Sequence, residues 1–204
     1  MQHDKIAIIG VGGGGSHLAY FMSKVYSEVI ILDYDKVEAK NLRRQLYSED
    51  DVGKYKVEAL KKMLGKYSPF CKVTAINRMV ENKLSFADID KDILCIAATD
   101  NLKTKKIMQQ YFNDVITVGC EADYFEVTSE KDRHAKTWEL ATGYETNQNF
   151  TTNITSAAYL VFLIQVYQQG LLDKIPTIKF NLKEEPIWQA ELKDDQKSER
   201  KKKK

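Results

Sequence analysis

The sequence has little cysteine and little proline, and it lacks a long hydrophobic run. Its three cysteines, Cys71, Cys95 and Cys120, are odd in number and widely separated, so by themselves they form neither a disulfide framework nor a CxxC zinc site. The longest apolar stretch, interrupted only by Gln165, covers 11 residues from 157 to 167, whereas about 20 are needed to span a bilayer. We interpret it as a buried helix and not as a membrane anchor. Because the N-terminus lacks the features of a signal peptide, we expect a cytoplasmic protein.

The chain also lacks a strong charge of one sign. Its net charge is +2, yet residues 193–204 carry a surplus of four positive charges, which leaves −2 for the other 192 residues. A near-neutral body argues against a nucleic-acid-binding face, so only the lysine tail could touch an acidic partner. With 43% hydrophobic residues in 204, the chain can close one sizeable core. We predict a single domain over residues 1–192, followed by a basic, disordered tail over residues 193–204.

Short apolar strands alternate with helices through the first 120 residues. This alternation is typical of a parallel sheet covered by helices on both faces, so we predict a Rossmann-like, doubly wound α/β fold. The predicted strands cover residues 5–9, 29–32, 72–76, 93–97 and 115–118, and the predicted helices open at Ser16 and cover residues 54–67 and 102–112.

The pattern changes after Cys120. Residues 124–128 and 135–140 alternate as in an antiparallel pair of strands joined by a charged turn over 129–133. A polar loop over 141–149 leads to a long apolar helix that Thr152 or Asn153 could cap and that ends near Gly170. Residues 177–182 resemble a last strand. We therefore predict that the mainly parallel sheet gains an antiparallel C-terminal extension.

A glycine-rich loop follows the first predicted strand. Five of the ten glycines lie within six positions, Gly10, Gly12, Gly13, Gly14 and Gly15. Such a loop between a strand and a helix lets backbone amides approach phosphate at the positive end of the helix dipole. Asp33, 18 residues after Gly15, occupies the place of an acid that binds a ribose. These features fit NAD and ATP equally.

Two cations follow the second predicted strand and favour ATP. Arg44 lies in the run Asn41-Leu-Arg-Arg-Gln45, and Lys56 opens the next helix. Singly, each could be an ordinary surface residue. Together, near the same strand ends as the glycine loop, they suit a triphosphate whose charge must be held while one bond breaks.

Asp100 follows the buried strand at 93–97 and therefore lies at the carboxyl end of a strand, where ligands bind in open α/β sheets. A carboxylate there suits Mg²⁺ carried in with ATP. The same residue could also cap the helix that follows, and the two roles are compatible.

Four ordered motifs, GVGGGGS, DYDKVEAKNLRRQ, VGKYK and AATDN, lie between residues 10 and 101. They resemble the ThiF, MoeB and HesA family, the bacterial relatives of ubiquitin-activating enzymes, and the later residues more loosely resemble short ThiF-like proteins. The resemblance implies an adenylyltransferase that uses ATP and Mg²⁺ to activate the C-terminal carboxylate of a small ubiquitin-like or sulfur-carrier protein ending in Gly-Gly. It also implies a homodimer.

Carried over by position, the resemblance implies roles for individual residues. Gly10, Gly12, Gly13 and Gly15 would admit the phosphates and Asp33 would bind the ribose. Asn41, Arg44 and Lys56 would hold the phosphates, and Asp100 would be the magnesium-linked aspartate. A C-terminal carboxylate is already ionised at pH 7, so the chemistry needs alignment and charge neutralisation but no general base.

The sequence departs from the family in three places. No arginine precedes Arg43, whereas many relatives send an N-terminal arginine to the ATP of a partner, so another residue or another protein would supply that charge. The four cysteines of the family's zinc site have no counterpart. The loop at 141–149 contains no cysteine for covalent transfer; Cys120 alone lies near the expected site, and Cys95, inside an apolar strand, should be inert.

Three alternative functions remain open. The chain could be a non-catalytic nucleotide-binding subunit of a larger activating complex, which the departures would allow. It could be a relative that acts on tRNA through its lysine tail. An NAD-dependent dehydrogenase is disfavoured, because no residue supplies the acid or base for hydride transfer.

Overall fold

The computed structural model describes residues 4–121, 124–130 and 150–181. In these residues, seven strands form one sheet in the order β3-β2-β1-β4-β5-β6-β7. The first five strands are parallel to one another. Strand β6 pairs antiparallel with β5, and β7 pairs antiparallel with β6. The predicted α/β fold with an antiparallel extension is confirmed. The strands are β1 (Lys5–Ile9), β2 (Glu28–Asp33), β3 (Lys72–Asn77), β4 (Leu94–Ala97), β5 (Val115–Glu121), β6 (Tyr124–Thr128) and β7 (Ile178–Asn181), and the helices are α1 (Gly13–Met22), α2 (Lys56–Tyr67), α3 (Leu102–Tyr111) and α4 (Phe150–Gln168).

The sheet separates two hydrophobic cores. Alternate residues of a strand point to opposite faces, so Ile6 and Ile8 of β1 join one core while Ala7 and Ile9 join the other. The first core includes residues of α1, α2 and α4, and the second includes residues of α3 and of a 3₁₀ helix at Lys83–Phe86. Helices therefore cover both faces, as the continuous apolar character of the strands predicts.

Helix α4 does not begin where the sequence suggested. Thr152 and Asn153, predicted as capping residues, lie inside the helix and are buried. The prediction that one of them caps the helix was wrong, because the helix already includes Phe150.

Strand β6 also has a different neighbour from the one predicted. It pairs with β5 on one side and with β7 on the other. The strand predicted at 135–140, the loop at 141–149 and the tail at 193–204 lie outside the described residues.

Helix α4 is apolar over most of its surface. By length and composition alone, α4 is long and apolar enough to cross a membrane, and it is the one such helix among the described residues. Core helices of soluble proteins have the same properties, and α4 buries Leu160, Leu163 and Ile164 in the first core. Its opposite side exposes Tyr159 and Phe162. The prediction of a buried helix therefore holds for one face of α4 only.

The strand order changes direction at β1. The chain leaves β1 for β2 on one side, and later returns to β4 on the other side of β1. The carboxyl ends of β1 and β4 thus flank a topological switch point, where open α/β sheets bind their ligands.

Candidate functional site

A cavity of about 940 Å³ opens at the carboxyl ends of the parallel strands. The glycine loop after β1 forms its floor, and residues that follow β2, β3 and β4 form its sides. Its size is within the range of small-molecule sites. The cavity collects every site residue predicted from the sequence except Gly15: Gly10, Gly12, Gly13, Asp33, Asn41, Arg44, Lys56 and Asp100.

Two glycines fix the backbone of the loop. Gly10 has a φ of +91°, and a Cβ atom at that position would lie 2.8 Å from the carbonyl oxygen of Ala98. A Cβ on Gly15 would lie only 2.0 Å from the carbonyl oxygen of Gly10. Neither position accepts a side chain without moving backbone. Gly15 is buried and is not among the residues that line the cavity, and the role in phosphate binding that the resemblance implies for it stays a prediction.

Helix α1 directs its N-terminus at the cavity. It begins at Gly13, carries no side-chain cap and has no acidic residue in its first turn. Gly12, Gly13 and Gly14 line the cavity, so the free amides of the first turn face it. The uncapped positive end of a helix is a favourable position for an anion.

Asp33 ties the glycine loop to the end of β2. Its Oδ2 accepts a hydrogen bond of 2.8 Å from the amide of Val11, and its Oδ1 accepts one of 2.9 Å from the amide of Asp35. The Tyr47 hydroxyl donates to the carbonyl of Val11 at 2.7 Å, and burial holds the pKa of Tyr47 well above its usual value, so the hydroxyl keeps its proton. Asp33 therefore has a structural role in addition to its place in the cavity wall.

Arg44 and Gln45 leave buried polar atoms without partners beside the glycine loop. The Nε atom of Arg44 and the Oε1 atom of Gln45 are buried and make no hydrogen bond to the described residues. The side-chain Nε2 atom of Gln45 lies 3.8 Å from the position that a Cβ on Gly12 would occupy. Buried polar groups are normally satisfied, so these atoms point to a polar ligand. Asn41 lies in the same wall and is buried, with its Oδ1 accepting from the Glu38 amide at 2.9 Å.

Lys56 is held by a residue that sequence reasoning missed. Its side chain is buried, and its Nζ lies 2.8 Å from Oδ2 of Asp35, which also lines the cavity. The ammonium group is therefore neutralised in the absence of a ligand. Asp35 stands two positions after Asp33, and that repeated acid was the signal that could have identified it.

Asp100 and Asn101 have different roles at the start of α3. The side chain of Asn101 caps α3 by accepting a hydrogen bond of 3.0 Å from the Thr104 amide. The expectation that Asp100 could be this cap is wrong. Since the cap lies one residue later, the Asp100 carboxylate stays at the exposed edge of the cavity wall.

The wall along β5 contains a buried lysine that has no distinguishing feature in the sequence. Lys105 of α3 is 5% exposed, and its Nζ lies 3.4 Å from the carbonyl oxygen of Val118. Burial lowers the pKa of Lys105 to about 8. A lysine on an amphipathic helix usually faces solvent, so only the packing of α3 on β5 identifies it.

Cys120 lies beside Lys105 in the same wall. Its Sγ is 3.1 Å from the hydroxyl oxygen of Ser156, and burial raises the pKa of Cys120 to about 11. Its thiol is therefore protonated at neutral pH. Burial also raises the pKa of Cys95 well above its usual value, as expected of a cysteine inside a strand.

No group of three or more histidine, cysteine or acidic side chains that could hold a metal ion occurs in the described part of the chain. Carboxylates in the cavity wall, chiefly Asp100, offer hard oxygen ligands one at a time. This suits a cation that arrives with phosphate oxygens as its other ligands.

A doubly wound sheet with a glycine loop, an uncapped helix and cations at its switch point defines a nucleotide-binding protein. Residues 1–131 match the ThiF family, and the chain belongs to that family.

Curated relatives carry names of activating enzymes. The chain is 32% identical over 120 residues to "Adenylyltransferase and sulfurtransferase UBA4" of Debaryomyces hansenii, covering 58% of this chain and 26% of that protein. It is 30% identical over 107 residues to "Molybdopterin-synthase adenylyltransferase" of Escherichia coli, covering 52% and 43%. It is 34% identical over 87 residues to "Ubiquitin-like modifier-activating enzyme 5" of Aedes aegypti, covering 42% and 22%. The chain thus matches less than half the length of each.

Solved structures share the fold over most of the chain. E. coli MccB crystallised with ATP has a TM-score of 0.68 at 20% identity, covering 90% of this chain and 64% of MccB. PaaA has a TM-score of 0.73 at 20% identity, covering 89% of this chain and 62% of PaaA. At this identity, the likeness shows the fold alone.

Proposed function

We propose that this chain binds ATP with Mg²⁺ and adenylates the C-terminal carboxylate of a small ubiquitin-like or sulfur-carrier protein that ends in Gly-Gly. The observation that carries the proposal is the buried Nε atom of Arg44, a donor without a partner among the described residues, beside an uncapped helix N-terminus. A polyphosphate would pair with the donor on Arg44 and with the free amides of α1. The names of the curated relatives support the same chemistry.

The cavity wall suggests how the nucleotide lies. Asp33 at the end of β2 would accept from the ribose hydroxyls, and the apolar side chains of Met79 and Val80 after β3 would contact the base. The phosphates would lie over the first turn of α1 with Arg44, Asn41 and Lys56 around them. Lys56 would then exchange part of its contact with Asp35 for phosphate, because two anions share one cation. Mg²⁺ bound to the phosphates would neutralise charge beside Asp100.

The reaction asks for alignment more than for proton transfer. The incoming carboxylate, already an anion at neutral pH, attacks the α-phosphorus, a carboxyl oxygen to phosphorus bond forms, and the bond to pyrophosphate breaks. The helix N-terminus and Arg44 stabilise the charge on the leaving pyrophosphate. We propose that the acyl-adenylate is released without transfer to a cysteine of this chain, because the Cys120 thiol is 6% exposed and stays protonated.

We further propose that the protein acts in the cytoplasm as a homodimer. The exposed aromatic side chains on α4 support self-association.

Exchange of labelled pyrophosphate into ATP tests the proposal, with a short ubiquitin-like protein ending in Gly-Gly as the substrate. We expect Asp100→Ala to abolish exchange with little loss of fold. Arg44→Ala should lower the exchange rate by about a hundredfold or more, since it removes a charged contact to the phosphates. Arg43→Ala is the matched control, because Arg43 is exposed and outside the cavity.

Normal exchange in both site variants would refute the assignment of the site. ATP binding without exchange for any Gly-Gly substrate would instead favour a non-catalytic nucleotide-binding subunit.

A further inference from the structure

Two adjacent residues of α1 hold the chain segment that carries Arg44. The Ser16 hydroxyl accepts a hydrogen bond of 3.1 Å from the Leu46 amide. The Nε2 atom of His17 lies 3.1 Å from the carbonyl oxygen of Arg44. Ser16 and His17 are both buried. The segment that follows β2 is therefore fastened to the helix that begins at the glycine loop.

His17 is the donor in its contact with Arg44. A carbonyl oxygen can only accept a hydrogen bond, so the Nε2 atom of His17 carries the hydrogen. His17 is 3% exposed, and burial lowers its pKa, so the ring is neutral at pH 7 and has this single N–H. Within the described part of the chain, no backbone amide donates to the Arg44 carbonyl. The hydrogen bond from His17 therefore satisfies an oxygen that the local backbone leaves open.

The ring of His17 is itself held by α4. Phe150, the first residue of α4, meets it edge to face, with the ring centroids 5.4 Å apart and the ring planes at 77°. Aromatic rings favour this arrangement, which fixes the direction of the imidazole N–H. The backbone of Arg44 is therefore positioned by a buried ring whose own orientation depends on a second helix.

The guanidinium group of Arg44 has one hydrogen bond and one open donor. Its Nη1 atom donates to the carbonyl oxygen of Lys40 at 3.3 Å, whereas its Nε atom is buried without a partner among the described residues. A guanidinium group binds phosphate through donors in a fixed, planar arrangement. The position of the Arg44 backbone therefore decides whether these donors meet the phosphates.

We propose that His17 is a positioning residue for nucleotide binding, which holds Arg44 through its backbone carbonyl so that the guanidinium group meets the phosphates of ATP. This inference rests on the ATP binding in the proposed function. His17 is not among the residues that line the cavity, so it acts through Arg44 and not by contact with the nucleotide.

A double-mutant cycle between His17 and Arg44 tests this role. Calorimetry measures the affinity for α,β-methylene-ATP with Mg²⁺ in the wild type, His17→Phe, Arg44→Ala and the double variant. We expect His17→Phe to weaken binding by about tenfold or more, because a small displacement of a charged contact is costly. In the Arg44→Ala background, the same change should alter the affinity by less than about twofold, because the guanidinium group is gone. Arg44→Ala keeps the carbonyl, so a purely structural loss would appear in both backgrounds.

Three further variants separate hydrogen bonding from packing. His17→Gln carries an amide N–H in place of the imidazole N–H and should recover most of the lost affinity. His17→Ala removes the donor without adding volume and should bind as weakly as His17→Phe. Ser23→Ala is the matched control and should bind as the wild type does. Ser23 is buried at the C-terminal end of α1, outside the cavity, where its hydroxyl donates to the Tyr20 carbonyl and contacts the Ser68 hydroxyl.

The outcomes distinguish this inference from the proposed function. Equal losses in the two backgrounds, or wild-type affinity in His17→Phe and His17→Ala, would overturn the role of His17 alone. A His17→Gln variant as weak as His17→Phe would overturn the role of the donated hydrogen bond. Failure of the wild type to bind the ATP analogue would overturn the proposed function itself.

Discussion

Gly15 shows how a single hydrogen atom in place of a side chain keeps the site in shape. Its neighbour Gly10 provides a carbonyl oxygen 2.0 Å from where a Cβ would stand. Because this obstacle is backbone, it cannot move aside as a flexible side chain would. The close packing of the loop backbone therefore requires a glycine at this position.

We predict that Gly15→Ala lowers the free energy of unfolding by about 3 kcal/mol or more, because it forces the loop backbone apart. Gly65→Ala is the matched control. Gly65 lies in α2 with no atom within 4 Å of its Cβ position, so alanine there should stabilise the protein by about 0.5–1 kcal/mol. Urea denaturation of both variants measures the difference, and equal stabilities would show that the loop is not tightly packed.

At this scale, sequence reasoning located the residues that follow strands. Asp33, Arg44 and Asp100 come after apolar runs, and a parallel sheet brings such positions together. It missed Lys105 because a lysine within a helix carries no local sign of burial. It also gave no sign that Lys56 would be paired, since the contact with Asp35 spans 21 residues.

At the scale of elements, two adjacent residues at the start of helix α3 have different roles. Asn101 caps the helix, and Asp100 faces the cavity. We predict that Asn101→Ala lowers the free energy of unfolding by about 1 kcal/mol. Asp100→Ala should leave it within about 0.5 kcal/mol. Thermal denaturation of the two variants would contradict this division if Asp100→Ala proved the less stable.

Glu28 links three strands at the start of the sheet. Its carboxylate forms a salt bridge of 3.1 Å with Lys5, the first residue of β1, and one of 2.9 Å with Lys72 of β3. It also accepts a hydrogen bond from the Thr74 hydroxyl. The bond from Lys72, more than any other contact, lowers the pKa of Glu28. A carboxyl group whose pKa falls on folding stabilises the protein above its unfolded pKa, and this stabilisation is lost as the pH falls through the folded value.

Glu28→Gln should therefore reduce the free energy of unfolding at pH 7 and have a much smaller effect in acid, once the pH lies below the lowered pKa of Glu28. Glu130→Gln, at an exposed position, should have little effect at either pH. Denaturant titrations at both pH values measure this, and a pH-independent effect of Glu28→Gln would show that its charge does not matter.

Most elements could be predicted because their apolar patterns are local. The pairing of β6 could not, because its partner β7 begins 50 residues after β6 ends and an antiparallel strand can join either neighbour. The cap assigned to Thr152 or Asn153 failed for a similar reason. Polar residues at the start of an apolar run usually cap a helix, whereas here they are buried within it.

At the scale of the whole molecule, α4 and its surroundings expose aromatic side chains in the described part of the chain. Tyr159 and Phe162 are 39% and 58% exposed, and Phe180 of the edge strand β7 is 38% exposed. Phe125 joins them through ring contacts of 6.4 Å to Tyr159 and 5.4 Å to Phe180. A helix that is apolar on all sides is normally buried, which is why we assign a second copy of the chain to this surface.

Light scattering after size exclusion should give the mass of a dimer. Phe162→Glu should shift the mass to that of a monomer, because it places a charge in an apolar contact. Phe70→Glu, at a 96% exposed position before β3, should remain dimeric. A monomer in the wild type, or a dimer in Phe162→Glu, would contradict the proposed homodimer.

The glycine loop and Asp33 also bear on how this protein could change. Backbone contacts and the Asp33 carboxylate hold the glycine loop in place without a ligand. A change of the loop backbone that admitted a differently shaped cofactor would therefore also lower the stability of the fold. Altered substrate choice is therefore expected from changes at the flanks of the cavity, as in Met79 and Val80, where a side chain can be exchanged without disturbing the turn.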